Sequence, residues 1–259
     1  MKILSLNLWG GMQGAVLLDY LRLHAETVDI FCFQEVFSAL PGAPEVSAGA
    51  RMYLFQELCL LFPEFIGYFE PRSMDFDFEK PVGFSTSHGL AVFVKNNLNV
   101  KSYRGEIIEA VQSPEDPVEG WTKAQVITLS VNGGAVSVIN YHGVAQPGTK
   151  LDTPQRLSHM RKLQEVWQSL GNGPKILCGD FNLFPETQSI KLLEGLGRSL
   201  IKEFNIENTR NELSWKKYPG SKQKFADYTF VSPGVNVESF DVPYNEVSDH
   251  LPMIMEFKI

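Results

Sequence analysis

The chain reads as short apolar runs separated by polar, glycine- or proline-bearing stretches, and the period of each run predicts its element. Residues 2–9 form a compact β-type run. Across 13–27, apolar side chains fall at Val16, Leu17, Tyr20, Leu21 and Leu23, the spacing of one helix face. The run 29–36 (DIFCFQEV) is short, apolar and aromatic, as a strand buried on both faces would be. A helical stretch at 51–61 stops at Pro63, and 65–69 predicts a short strand. Prolines, glycines and charges punctuate 70–88, which predicts a long loop. Strands follow at 89–95, 100–110 and 122–131, the last two separated by the acidic stretch SPEDPVEG. Asn132, Gly133 and Gly134 make a hairpin turn into a strand at 135–142. A helix over 153–170 has Thr153 as its cap and Pro154 at its first position. A short strand at 175–178, a helix at 186–194, and strands at 226–231, 235–240 and 253–258 complete the pattern. Strands buried on both faces with helices between them predict two packed β-sheets flanked by helices, a four-layer α/β sandwich.

Composition narrows the class. The chain has 259 residues, long for one average domain but within the range of undivided sandwiches, and no repeat or linker divides it; residues 1–259 are expected to form a single domain. A hydrophobic fraction of 44% and a charged fraction of 20% suit a soluble globular protein. The formal net charge of −7 counts against wrapping of long nucleic acid, although a local basic patch can suffice. Three cysteines, Cys32, Cys59 and Cys178, form no CxxC pair and are odd in number, which argues against zinc and a disulfide framework; Cys32 and Cys178 sit inside apolar runs and read as buried thiols. The opening MKILSLNLWGG contains Ser5 and Asn7 and leads to no small-residue cleavage site, so a first strand is expected rather than a signal peptide. No run approaches the roughly 20 apolar residues of a membrane span. A cytoplasmic monomer is the default expectation.

Polar residues recur at the ends of the apolar runs: Asn7, Gln34 and Glu35, His142, Asp180 and Asn182, Asp227, and Asp249 with His250. Singly, such residues are caps or turn-formers. Collected, they are a set of carboxylates, amides and imidazoles without thiolates, which suits a hard cation such as Mg²⁺ or Mn²⁺ with positions left for water and phosphate. A histidine beside a carboxylate can work as acid or base near neutral pH. Glu35 follows a run of buried aromatics, where an unpaired carboxylate would be costly, so a cation is the better reading for it.

The segments LSLNLWG, FQEV, NYHG, GDFN, DYTFVS and VSDHLP, in that order, resemble the endonuclease/exonuclease/phosphatase superfamily of DNase I-like phosphoesterases, over essentially the whole chain. The family fold is the four-layer sandwich already expected. The resemblance implies Glu35 as principal metal ligand, with Asp249 in the metal region and Asn7 beside both metal and phosphate, for one or two ions. It implies that Asp180 positions or deprotonates the attacking water and that Asn182 steadies it. By the same resemblance His142 contacts the phosphate, His250 stabilises the phosphorane or acts as acid or base, and Asp227 fixes the tautomer of His250.

Two loops bear on substrate. Residues 208–224 carry Arg210, Lys216, Lys217, Lys222 and Lys224 against one acid, Glu212, with Trp215 and Tyr218 interleaved. They read either as a solvated loop or as the rim for an anionic substrate whose base could stack on the aromatics. Residues 72–84 interleave Phe76, Phe78 and Phe84 with acids, either tucked onto the body or forming a lid for an apolar headgroup. His24 and His159 read as helix-surface residues, and Arg156, Arg161 and Lys162 as a solvated helix face; His88 borders a strand. A metal-dependent phosphoesterase acting on a nucleic acid or nucleotide ranks first, and a lipid or sugar phosphate second. A catalytically silent binding module and a metal-free, two-carboxylate glycosidase are the readings of other classes.

Overall fold

A computed structural model describes residues 1–111, 120–131, 133–146, 148–217 and 222–259. In chain order the elements are β1 (Lys2–Asn7), α1 (Ala15–Ala25), β2 (Ile30–Ala39), β3 (Val46–Ser47), β4 (Ala50–Arg51), α2 (Leu54–Leu61), β5 (Phe65–Met74), β6 (Thr86–Lys95), β7 (Asn99–Val111), β8 (Gly120–Val131) and β9 (Gly134–His142). Then come α3 (Pro154–Ser169), β10 (Lys175–Asp180), α4 (Gln188–Glu194), β11 (Arg198–Ser199), α5 (Leu200–Glu203), α6 (Glu212–Lys217), β12 (Asp227–Val231), β13 (Asn236–Asp241) and β14 (Met253–Lys258).

The main strands form two mixed sheets, ordered β5-β6-β2-β1-β14-β13 and β7-β8-β9-β10-β12-β11, which meet at one edge where Ser73 pairs with Gly120. β1 and β2 run parallel, as do β9 and β10, so the C-terminal ends of all four lie at one rim. Register alone then sets Asn7 beside Gln34, and Asp180 between His142 and Asp227. Leu17, Leu21, Leu54 and Leu58 of α1 and α2 cover the Phe31 and Phe33 face of the first sheet, and Met160, Leu163 and Trp167 of α3 pack into the larger core. Because both faces of the central strands are covered, their sequences are continuously apolar.

Several elements differ from the periodicity reading. The expected loop at 70–88 is strand at both ends, as β5 continues to Met74 and β6 starts at Thr86. The charges that disguised it are strand side chains with partners: Glu70 accepts from Lys123 at 2.6 Å, and an Arg72 nitrogen lies 3.0 Å from His142 Nδ1. Arg156 and His159 are buried rather than solvated, with His159 Nε2 2.6 Å from Glu109 Oε2 and Arg156 donating to the Leu151 carbonyl. Residues 208–224 contain α6, and the short β11 and α5 had no signal in the apolar pattern. Thr153 does cap α3, its hydroxyl accepting from the Arg156 amide at 3.1 Å. Cys32 and Cys178 are buried and Cys59 is exposed, all three as free thiols. The acidic stretch at 113–119, Asn132, Tyr218 and the Lys217 side chain lie outside the described residues. Among the described residues, no helix is long and apolar enough to cross a membrane.

Candidate active site

The strand ends and the loops that follow them enclose a cleft of about 440 Å³, lined by Glu35, Asp180, Asn182, Asp249 and His250, with Lys150 and Arg210 beside them and Trp9 and Phe78 among its aromatics. Two local irregularities bring charge here. Pairing of β2 with β6 slips between Phe33 and Val36, so Glu35 sits in a bulge with φ 55°, turned out of the ladder. Pairing of β5 with β6 slips between Pro71 and Ser73, which frees Arg72 to reach His142. Bulges re-aim side chains in this way beside active sites. Of the seven non-glycine residues with positive φ among those described, four (Trp9, Glu35, Lys150 and Asn182) line the cleft. Such backbone costs about 1–3 kcal/mol per residue and persists where surrounding contacts over-determine it. Gly179 of GDFN shows the constraint most sharply: its φ is +136° and a Cβ there would stand 2.0 Å from the Tyr141 carbonyl oxygen.

Asp180 is 1% exposed and both its oxygens are held, Oδ1 by the Asn182 amide at 2.8 Å and Oδ2 by Asn7 Nδ2 at 3.0 Å. Asn7 Oδ1 accepts from the Trp9 amide at 2.9 Å, and the Asn7 carbonyl accepts from the Ser248 hydroxyl at 2.6 Å. Those bonds tie the first strand to the loop that carries Asp249 and His250. His250 Nδ1 lies 2.9 Å from Asp227 Oδ2, which leaves Nε2 facing Asp180 Oδ2 at 3.6 Å. Burial and Arg210 push the His250 imidazole down, but the carboxylates of Asp227, Asp249 and Asp180 carry it up to about 9, so it is an imidazolium at neutral pH. Burial chiefly raises Asp227 as well.

His142 behaves oppositely. Burial first, then Arg72, holds it well below the usual histidine range, so it is neutral. With the Arg72 guanidinium donating to Nδ1, its proton resides on Nε2, 3.7 Å from Glu35 Oε1 and 3.5 Å from Asp180 Oδ2. Glu35 is raised by burial and then by repulsion from Asp249. Asp249 takes a 2.7 Å ion pair from Arg210 on Oδ2, while its Oδ1 is buried without a hydrogen-bond partner, 3.8 Å from His250 Nε2. Glu35, His142 and Asp180 present polar atoms within 4.8 Å of one another, as do Asp180, Asp227 and His250; with the imidazoles protonated toward the cleft, it is the carboxylates of these groupings that could hold a metal ion. Mutually repelling carboxylates, one with a buried oxygen that accepts no hydrogen bond, are what a hard cation would relieve.

Asn7, Glu35, His142, Asp180, Asn182, Asp227, Asp249 and His250 therefore converge. Among the described side chains of the basic segment only Arg210 joins them, through a bridge to His250 and its pair with Asp249. Lys216 is exposed and pairs with Glu212 at 3.7 Å. Lys222 and Lys224 border a separate surface hollow with Phe184 and Phe225. Trp215 is occupied in structure, its Nε1 donating to the Gln223 carbonyl at 2.8 Å. Lys150 was not anticipated: it is 6% exposed, its ammonium donates to Asn182 Oδ1 and to the Ala145 carbonyl, and burial pushes it down to about 8. Its sequence context, PGTKLDT, is that of an ordinary loop lysine.

The family model for the Endonuclease/Exonuclease/phosphatase family matches residues 4–250. No curated protein matches the chain. Among solved structures, the endonuclease/exonuclease/phosphatase from Bacteroides vulgatus superposes with TM-score 0.72 at 16% identity, covering 100% of this chain and 98% of that one. A mannosyl-6-phosphatase from Bacteroides thetaiotaomicron gives 0.69 at 18% identity with 100% of both chains covered. The human Nocturnin catalytic domain, solved with a sulfate anion, gives 0.65 at 20% identity, covering 100% of this chain and 93% of that one. The structural likeness fixes the fold, the four-layer DNase I-like sandwich, and the match of the family model over nearly the whole length fixes the lineage: the chain belongs to the endonuclease/exonuclease/phosphatase family.

Proposed function

We propose that residues 1–259 act as one catalytic domain that hydrolyses phosphate esters by direct attack of water, with a divalent cation in the cleft. The observation that carries this reading is the meeting of Glu35 and Asp249, the latter with a buried oxygen that has no hydrogen-bond partner, with an oriented Asp180 and a buried Asp227–His250 pair. Glu35 and Asp249, with Asn7 beside them, would hold Mg²⁺ or Mn²⁺. A bound ion of that kind polarises a phosphoryl oxygen and offsets its developing charge. Asp180, with Oδ1 and Oδ2 fixed by Asn182 and Asn7, orients a water in line with the ester bond and accepts its proton. The new P–O bond forms as the bond to the alcohol breaks, and the departing oxygen takes a proton from His250 or solvent. His250 as an imidazolium, neutral His142 through Nε2–H, and the Asn182 amide supply fixed donors to the equatorial oxygens, which is where most of the catalysis of phosphoryl transfer comes from. The three free thiols suit a reducing, cytoplasmic setting.

The test is hydrolysis of p-nitrophenyl phosphate and its bis ester with Mg²⁺, Mn²⁺ or excess EDTA. Activity should vanish with EDTA and return with either metal, and Glu35→Gln should weaken the metal response while leaving the melting temperature of the apo protein within a few degrees. Full activity in excess chelator would end the metal assignment.

A further inference from the structure

Two cations line the cleft beyond the groups that the attack of water on any phosphate ester requires. Arg210 is 7% exposed and held on one side by its 2.7 Å pair with Asp249, yet its Nε is buried with no partner. Lys150 is 6% exposed and held by Asn182 Oδ1 and the Ala145 carbonyl, so one of its three N–H groups is left for a ligand. Lys150 is not placed for fold stability, since burying an ammonium without a carboxylate partner is costly. Both line the cleft in which a phosphate would sit.

We propose that Lys150 and Arg210 form a clamp for the third non-bridging oxygen of a terminal phosphate, so that the cleft takes phosphomonoesters of compact alcohols in preference to phosphodiesters. The inference rests on the phosphoesterase reading above and deepens it. A diester has two non-bridging oxygens, which the cation, Asn182, His142 and His250 already engage. A monoester has a third, and a second negative charge, which match two further fixed cationic donors. The shape of the cleft agrees. Gln223 Nε2 donates to the Gly148 carbonyl at 2.6 Å, joining loops 75 residues apart at the wall of the cleft. The lysines that would have tracked a polyanion, Lys216, Lys222 and Lys224, lie on other surfaces. About 440 Å³ beside Trp9 and Phe78 holds a small alcohol with one apolar face rather than a polymer.

The experiment compares kcat/KM for p-nitrophenyl phosphate and bis-p-nitrophenyl phosphate in the unmodified holoenzyme, Lys150→Gln and Lys150→Arg, and titrates each metal-loaded protein with inorganic phosphate by calorimetry. Loss of one charge-assisted bond is worth about 10- to 100-fold. Lys150→Gln should therefore lower the monoester-to-diester ratio by about 10-fold or more and weaken phosphate binding by a similar factor, and Lys150→Arg should recover most of both. A ratio unchanged by Lys150→Gln, with phosphate bound as tightly as before, would overturn the clamp. A preference of the unmodified enzyme for the diester would overturn it as well. Hydrolysis of neither ester would instead remove the phosphoesterase reading, while the phosphate titration still decides whether Lys150 grips the anion.

Discussion

His250 and Asp227 lie 23 positions apart in the chain and 2.9 Å apart in space, and their coupling is a claim about individual atoms. His250→Ala should lower kcat by about 10²-fold or more, the scale of lost donor or acid help. Asp227→Asn should cost less, since the imidazole survives with a poorer tautomer and a lower pKa. The double variant should be little worse than His250→Ala, because Asp227 acts through the histidine. Multiplicative losses would remove Asp227 from the positioning role. Lys150 gives a prediction of stability. Its folded pKa, about 8, lies below the ordinary lysine value of 10.5, so the unfolded chain binds more protons between those values. Stability linked to Lys150 is thus fully present above pH 10.5 and lost as the pH falls through about 8. The difference in unfolding free energy between the unmodified protein and Lys150→Met should shift in favour of the lysine by on the order of 3 kcal/mol from pH 7 to pH 10.5. Urea melts at the two pH values measure it, and a pH-independent difference would show that the ammonium is not desolvated.

At the scale of elements, helix α3 holds the loop that carries Lys150. Arg156, 1% exposed on the first turn, donates to the carbonyls of Leu151 at 2.6 Å, Val144 at 3.3 Å and Ala145 at 3.4 Å, so a single guanidinium ties both ends of the segment to the helix. Arg156→Met keeps the stem packing and removes the donor to the Leu151 and Val144 carbonyls, while the Ala145 carbonyl keeps Lys150. It should cost about 2–4 kcal/mol of stability, raise amide exchange over 143–151, and raise KM more than it lowers kcat. Exchange in that loop at its original rate would show that the loop is held by other contacts. The bulges in β2 and β5 play the corresponding part for Glu35 and Arg72: each is one residue out of register, and they turn Glu35 into the cleft and Arg72 onto His142 behind it.

At the scale of the whole molecule, a polar seam crosses from one sheet to the other under the cleft. Gln34 Nε2 donates to Asn140 Oδ1 at 2.6 Å; Asn140 Nδ2 donates to Gln125 Oε1 and to the Phe33 carbonyl, both at 3.0 Å; Gln125 Nε2 donates to the Tyr68 carbonyl at 2.9 Å. Gln34 precedes Glu35 and Asn140 lies two residues before His142, so the seam fixes the spacing of the two sheets where the site needs it. A dry interface would pack as well but would not specify that spacing. Asn140→Leu, similar in volume, should cost about 3 kcal/mol by leaving Gln125 and Phe33 without their partner. It should also reduce activity out of proportion to the population unfolded. Denaturation midpoints read beside kcat at a temperature where both proteins are folded separate the two effects, and unchanged kcat would confine the seam to stability.

The sequence by itself determined the two-sheet sandwich and the strand-end carboxylates, amides and imidazoles. Both follow from local physics: strands covered on both faces are continuously apolar, and polar groups are cheap only where such a strand stops. Asn7, Glu35, His142, Asp180, Asn182, Asp227, Asp249 and His250 were legible for that reason, and their order along the chain carried the family. The limits of β5, the burial of Arg156 and His159 and the recruitment of Lys150 were decided by tertiary structure. A charged residue has no apolar period to announce its burial, and its partner can lie anywhere in the chain: Glu70 finds Lys123 53 residues away and Lys150 finds Asn182 32 residues away. The basic segment 208–224 shows the converse. Its charges were equally visible in the sequence, yet only the fold assigns Arg210 to the cleft and Lys216, Lys222 and Lys224 to other surfaces, because one turn of helix and an extended stretch point neighbouring side chains in different directions.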